Sequence, residues 1–309
     1  MENDKIAIRT ENLMKKFGER IAVNSINIEI KQGEIFSLLG ENGAGKTTTI
    51  KMLCCLSRPT SGRASVMDFG ITENPLKIKH IIGVSPQENA IAGHLSSREN
   101  LQLMGGVFGL NKDESKKRAR DLMQLLELED RKDQARKLSG GLQRRLSIAM
   151  ALISDPEILF LDEPTLGLDP HARKSVWNYI EKLKNEKTIL LTTHYLEEAD
   201  ALADHIAIMN KGNIIAKGTS HELKQKYIKN NSIKISGKNI NDETINALKN
   251  KGMDVNLISS GIEIESKEPD IYAIVDLLRQ NKVIITGIQM MEPTLEDVFL
   301  HLTGEEVNV

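Results

Sequence analysis

Several residues in this sequence have the types and spacing to hold a phosphate chain and activate the water that attacks it. Gly40-Glu41-Asn42-Gly43-Ala44-Gly45-Lys46-Thr47-Thr48 reads G-x-x-x-x-G-K-T, a phosphate-binding loop pattern. Its glycines let successive backbone N–H groups turn inward without a Cβ clash, and the helix that follows adds its positive dipole end. Lys46 is expected to reach the β- and γ-phosphates and the Thr47 hydroxyl to ligate Mg²⁺. Asp162 and Glu163 follow the apolar run 158–161. Carboxylates at the end of a buried strand are costly without work or partners. Asp162 fits a Mg²⁺-holding acid of the Walker-B kind. Glu163 points differently and can polarise water as a general base. Gln87 closes another apolar run, where its amide can contact both Mg²⁺ and the attacking water. His194 ends a third, at the same expected sheet edge, where it can hydrogen-bond a γ-phosphate. Ser139-Gly140-Gly141 opens a helix as a second anion site. One nucleotide does not need both anion sites from one copy, which points to a dimer in which each copy serves the other's phosphates.

The elements around these residues supply the frame. Residues 34–39 read as a short apolar strand before the loop. Residues 47–56 read as a helix, with Ile50, Leu53 and Cys54 at helical spacing. Residues 6–10 and 21–30 alternate as antiparallel strands. Between them, residues 14–18 read as a polar turn carrying Phe17. That aromatic either stacks on a base or tucks under the loop as core. From 88 to 137 strands give way to helices, over 97–108 and 112–128, as an all-helical insertion. The second carries an apolar side of Leu122, Leu125, Leu126 and Leu128. The basic run 116–120 reads as a solvated helix face. The four apolar residues at 158–161 indicate a strand buried on both faces, hence a parallel sheet. Strands at 188–193, 205–209 and 214–217 close a first domain over residues 1–225, with residues 224–231 as a polar helix end and linker. A second domain, 226–309, has β-α-β-β-α-β order, the ferredoxin-like arrangement, and a last helix after Pro293. Nothing in it has catalytic spacing.

Composition narrows the function classes. Forty-one basic against 43 acidic side chains leave a net charge of −2, so no bulk field favours nucleic acid or an anionic membrane. The only two cysteines, Cys54 and Cys55, are neighbours in a helix. They read as small apolar residues in a reducing compartment. The polar start, residues 1–5, carries no signal-peptide pattern, and no run of about 20 apolar residues spans a membrane. A membrane role would need a partner that does the spanning.

In their joint order these motifs resemble the nucleotide-binding subunit of ATP-binding cassette transporters. The resemblance runs over about residues 5–220: the phosphate loop, Gln87, the signature Leu138-Ser139-Gly140-Gly141, Asp162-Glu163, Leu168-Asp169 and His194. Leu142 departs from the Gln often found in the signature, which weakens a contact role there. Ser97-Arg98-Glu99-Asn100-Leu101 and the tail stretch Glu292-Pro293-Thr294-Leu295-Glu296-Asp297-Val298-Phe299 look like the drug-resistance, daunorubicin-exporter type. The resemblance implies an α/β P-loop fold with a RecA-like core, an antiparallel β subdomain and a helical insertion. It implies an ATPase that powers a separate integral membrane permease from the cytoplasmic face, exporting a drug, lipid or other hydrophobic cargo. ATP and Mg²⁺ are then the cofactors. Lys46, Thr47, Thr48, Gln87 and Asp162 bind phosphate and Mg²⁺ in one copy, Ser139 and Gly141 close from a second cassette, and Phe17 stacks on adenine. Glu163 and His194, with Lys46 and Gln87, support in-line attack by water. The rival reading is a soluble cassette ATPase with no membrane partner.

Overall fold

The computed structural model describes residues 5–88, 90–128, 133–228, 231–259, 261–266 and 270–304. Residues 1–4, residues 129–132 of the expected helical insertion, and Lys229 and Asn230 of the expected linker lie outside the described residues. The chain forms two compact units, Met1–Ser220 and His221–Val309.

The first unit begins with β1 (Ile6–Phe17), β2 (Arg20–Ile26), β3 (Glu29–Lys31), β4 (Ile35–Leu39), α1 (Lys46–Leu53), β5 (Ser61–Val66), β6 (Phe69–Gly70), α2 (Pro75–Ile81) and β7 (Ile82–Ser85). The helical part follows: α3 (Ser97–Val107), α4 (Lys112–Leu125) and α5 (Gly140–Leu152). The unit ends with β8 (Ile158–Asp162), α6 (Pro170–Lys182), β9 (Thr188–Thr193), α7 (Leu196–Leu202), β10 (His205–Asn210) and β11 (Asn213–Gly218).

The central sheet has the order β11-β10-β4-β9-β8-β7, parallel except at the β10–β11 hairpin. Every residue of β4, β8 and β9 is buried. Such continuous apolar runs are what a sheet covered on both faces requires. The register pairs Leu39 with Thr193 and Asp162 with Thr192, and Ser85 with Leu161. Four strands therefore finish level, and the loop after each opens at one carboxyl edge. That is where ligands bind in open α/β sheets. β4 lies between β9 and β10, so both its neighbours come from much later in the chain. The β10–β11 hairpin also touches the loop after β4. Gly212 N donates to Ala44 O at 2.9 Å, and a Cβ on Gly40 would lie 2.1 Å from Met209 O.

The antiparallel strands form a second sheet, β2-β1-β5-β6, with β3 on β1. The polar turn expected at residues 14–18 is not there. β1 continues through Phe17, with Lys16 opposite Ile21 and Phe17 opposite Arg20. The turn is the two-residue link Gly18-Glu19, with Gly18 at φ +56°, the positive region that tight hairpins demand. The helix expected at 47–56 stops at Leu53; Cys55 takes φ +58° and Leu56 is exposed.

In the helical part, α3 and α4 each start on a capping box, Ser96 with Glu99 and Asn111 with Glu114. Leu122, Leu126 and Leu128 are buried with Leu101 and Leu146, but Leu125 is exposed, one step off the buried face. Lys116, Lys117 and Arg120 are exposed as a solvated face should be. Arg118 departs from that run. It donates to the carbonyls of Leu152 and Ile153 and so satisfies the C-terminal end of α5. Asn100 is fully buried; its Oδ1 accepts from Ala92 N at 2.8 Å, and its amide donates to Ala92 O and Ser96 O at 3.1 and 3.0 Å. It thereby ties the stretch that follows Gln87 onto α3. Asn100→Leu should cost about 1–3 kcal/mol for each backbone group left unpaired in the interior. The expected readout is a thermal midpoint several degrees lower, with faster proteolysis in residues 88–96. An unchanged midpoint would refute the assignment.

α8 (Ser220–Tyr227) starts at the last residue of the first unit, and the second unit continues with β12 (Asn231–Lys238), α9 (Asp242–Lys249), β13 (Asp254–Ile258), β14 (Gly261–Ser266), α10 (Ile271–Gln280), β15 (Ile284–Met291) and α11 (Leu295–Thr303). Its sheet order, β13-β14-β12-β15, is antiparallel throughout, the ferredoxin-like topology. Ile233, Ile235, Leu248, Ile262, Ile264, Ile274 and Leu278 form its core. Among the described residues no helix is long and apolar enough to cross a membrane.

Candidate nucleotide site

The loop between β4 and α1 is shaped by steric limits on its glycines. Gly45 sits at φ +112°, and a Cβ there would lie 2.4 Å from Ala22 O. Gly45 is also the N-cap of α1, without a side-chain cap, and the first turn of α1 has no acidic residue. The positive end of that helix is therefore left for an external anion. Gly40 and Ala44 are packed beneath the loop, whereas Asn42, Gly43, Gly45, Lys46, Thr47 and Thr48 line a cavity of about 460 Å³. Phe17, Arg20, Gln87 and Glu163 complete much of its wall. Phe17 is 56 % exposed, which excludes the core alternative, and Lys15 Nζ lies 5.0 Å from its ring centre.

The acids stand at the end of β8. Asp162, 4 % exposed, accepts from Thr192 Oγ1 at 2.6 Å and from Thr47 Oγ1 at 3.1 Å through the same oxygen, Oδ1. Glu163 leaves the strand at φ +50° and is held there by its N–H, which donates to Thr192 O and Thr192 Oγ1, both at 3.1 Å. Left-handed backbone at a residue other than Gly costs of order 1–3 kcal/mol and persists where the surroundings over-determine it. The result is that Asp162 faces Thr47 while Glu163 swings towards Lys46. Glu163 Oε1 lies 3.1 Å from Lys46 Nζ, and its Oε2 lies 2.8 Å from His194 Nδ1. Lys46 also donates to the carbonyls of Gly40 at 2.6 Å and Glu41 at 3.1 Å. Lys46 and Glu163 are both about 95 % buried, so each is the other's main compensation in a poorly solvated site.

The expected residues therefore fall into two groups. The structure brings Lys46, Thr47, Gln87, Asp162, Glu163 and His194 to one sheet edge, and Phe17, from the end of β1, to the same cavity. It does not bring Ser139, Gly140 or Gly141 to that cavity. Ser139 caps α5 through Leu142 N, and Ser139 and Gly140 are exposed. Leu142 packs against the neighbouring apolar cluster.

Two residues escaped the sequence reading. Thr192 holds both acids, one by its hydroxyl and one also by its backbone. Arg144 is 3 % exposed, and its guanidinium donates to Pro86 O at 2.5 Å, Asp162 O at 2.8 Å and Pro164 O at 2.9 Å. Burial lowers its pKa to about 10, against the opposing pull of Asp162, Glu198 and Glu163. A signal for Arg144 existed: it shares a helix face with Ile148 and Ala151, where an unpaired charge is costly. Glu198 is buried behind the same segment and accepts from Thr165 Oγ1 and Trp177 Nε1; burial raises its pKa, opposed by hydroxyl hydrogen bonds.

The arrangement can hold a phosphate chain against α1 and present a carboxylate to a water beyond it. Oxygen donors alone, from Asp162 and Thr47, suit a hard divalent cation such as Mg²⁺. Residues 23–166 match the family model "ABC transporter", and residues 218–303 match "ATP-binding protein DrrA1-3-like, C-terminal domain". The daunorubicin resistance ATP-binding protein DrrA3 of Streptomyces coeruleorubidus is 34 % identical, with 98 % of each chain covered. The linearmycin resistance ATP-binding protein LnrL of Bacillus subtilis is 35 % identical over 96 % of this chain and 98 % of its own. A solved dimeric cassette in its post-hydrolysis state with ADP and Pi superposes with a TM-score of 0.63 at 29 % identity, covering 69 % of this chain and 98 % of that one. Full-length similarity at these identities, over a site with this geometry, assigns the family: the chain belongs to the ATP-binding cassette (ABC) transporters, as an ATP-binding subunit that hydrolyses ATP to drive transport.

Proposed function

We propose that this subunit works at the cytoplasmic face of a membrane as a pair of cassettes that closes on ATP and drives export of a drug, lipid or other hydrophobic compound through a separate integral membrane permease. Support for export comes from relatives of nearly the same length named for drug resistance and for Nod factor export. Support for the pair comes from the Ser139-Gly140 end of α5, which is exposed and does not line the cavity of its own copy.

The observation that carries the catalytic reading is the placement of Glu163 between Lys46 and His194 at the mouth of β8. Backbone N–H groups of the loop, Lys46 and Thr48 bind the β- and γ-phosphates. On binding, Lys46 exchanges the oxygens of Gly40, Glu41 and Glu163 for phosphate oxygens, which frees one side of the Glu163 carboxylate. Phe17 offers its exposed ring to the adenine. Thr47, Asp162 and Gln87 would hold Mg²⁺, which when bound neutralises charge on the β- and γ-oxygens. Glu163 accepts the proton of the water whose oxygen bonds to the γ-phosphorus, as the bond to the bridging oxygen breaks to leave ADP and phosphate. His194 fixes the Glu163 carboxylate and turns towards the γ-phosphate. Catalysis here is positioning and charge stabilisation.

Transport decides the reading. Inverted membrane vesicles carrying this chain and a membrane protein that co-purifies with it should accumulate a fluorescent amphiphile only with MgATP. Vesicles with the Glu163→Gln chain should not. A chain that hydrolyses ATP yet never associates with those membranes would instead favour a soluble cassette ATPase.

A further inference from the structure

Three parts of the site, far apart in sequence, meet at one guanidinium. Arg144 lies one helical turn behind Gly140, on the buried face of α5. Its Nη1 holds the carbonyl of Pro86, the residue before Gln87. Its Nη2 and Nε hold the carbonyls of Asp162 and Pro164, the residues on either side of Glu163. None of these acceptors is a side chain, so Arg144 acts on where the backbone runs. A second tie runs alongside: Ser147 Oγ, on the next part of α5, lies 2.9 Å from Ser85 Oγ, and both are buried.

We infer that Arg144 is a positioning residue for ATP turnover, one that locks the Gln87 segment and the Asp162-Glu163 pair to the helix carrying the Ser139-Gly140-Gly141 end. The planar fork of Arg can satisfy three diverging carbonyls at once, whereas a lysine ammonium is a single point on a flexible stem. The positive backbone φ of Glu163 gives this grip its purpose. The turn places the carboxylate beside Lys46 and His194 only while its two flanking carbonyls are held. Because the exposed end of α5 does not line its own copy's cavity, Arg144 also carries any movement of that end into both the Gln87 strap and the acids.

The inference rests on the assignment of Glu163 to turnover, and the test separates the two. Arg144→Lys and Arg144→Gln are made in the full chain, each alone and with Gln87→Ala. MgATP hydrolysis is measured per active site, with sites counted by stoichiometric nucleotide binding, so that a misfolded fraction does not enter the rate. The expected result is a kcat lowered about 10–100-fold, the scale of a small misplacement of reacting groups, with KM within about 2-fold, since Arg144 touches no ligand. Gln87→Ala should then cost less in the Arg144→Lys background than alone, because both changes break one linkage. A kcat per site within 2-fold of the unaltered chain for both variants would overturn the inference, as would a fall expressed only in KM or strict additivity with Gln87→Ala. If Glu163→Gln also turned over normally, the reading of the site itself would fail. An inactive Glu163→Gln beside fully active Arg144 variants would sink the Arg144 inference alone.

Discussion

Glu163→Gln is expected to slow MgATP hydrolysis about 10²–10⁴-fold, the range for loss of a positioned general base, while nucleotide binding survives. The amide keeps the shape of the carboxylate, and its oxygen can still accept from Lys46. What it loses is the capacity to take a proton from water. The loop, Lys46 and Thr47 are left intact, so affinity for MgATP should stay within a few-fold. With hydrolysis blocked, the closed pair should accumulate. Sedimentation velocity of the 34.5 kDa chain with MgATP should show a species of twice the monomer mass. Adding Ser139→Arg should dissolve it. Phosphate release within a few-fold of the unaltered chain would remove Glu163 from the role of base. A strictly monomeric Glu163→Gln chain at saturating MgATP would remove Ser139 from the role of closing residue.

Lys46→Met is the second large effect, and it acts on affinity and on stability together. Truncating one partner of a buried, hydrogen-bonded charge pair costs about 2–5 kcal/mol, or roughly 30-fold to several thousand-fold in affinity for the phosphate chain. In the ligand-free protein the same change strands Glu163, which is 4 % exposed, with only His194 beside it. Leaving one member of a buried ion pair alone is destabilising by about 3–5 kcal/mol. The thermal midpoint should therefore drop, and it should stop rising with added MgATP, because ligand no longer favours the folded state. Combining Lys46→Met with Glu163→Gln should recover much of the midpoint without restoring binding. A Lys46→Met chain with normal MgATP stabilisation would refute the phosphate role. Recovery absent from the double variant would refute the pairing.

The parts of the site that were legible in the sequence are those that strand ends carry. A glycine loop, an acid pair, a Gln and a His each closed an apolar run, and parallel pairing then levelled those ends. The ferredoxin-like order of the second unit followed from alternation and helical spacing alone. The parts that were not legible depend on long-range packing. Phe17 extends β1 because Arg20 pairs with it across Gly18-Glu19, and a polar stretch of Lys residues disguised that strand. Lys46 meets Glu163 across 117 positions; the motifs place both at one phosphate site, but residue types do not show that the two side chains pair directly. Arg144 sits beside a second arginine, and only its helical spacing with Ile148 and Ala151 sets it on an apolar face. Its acceptors are carbonyls, which every residue has, so residue types could not reveal them.

The place of β4 in the sheet has a consequence for how the protein is made. The strand that launches the phosphate loop has β9 and β10 as its only neighbours in the central sheet, and the loop itself is braced by Gly212 and Met209. A ribosome that has delivered Thr48 must still deliver about 145 further residues before the first of those supports, β9, is complete, and more than 160 before Met209 and Gly212 follow. At synthesis rates of about 5–20 residues per second, that is roughly 10–30 seconds. During that interval the nascent chain carries the whole loop sequence with no completed sheet to hold it. Capture of ATP is thus among the last properties the first unit acquires, arriving only when the hairpin at residues 205–218 clears the exit tunnel.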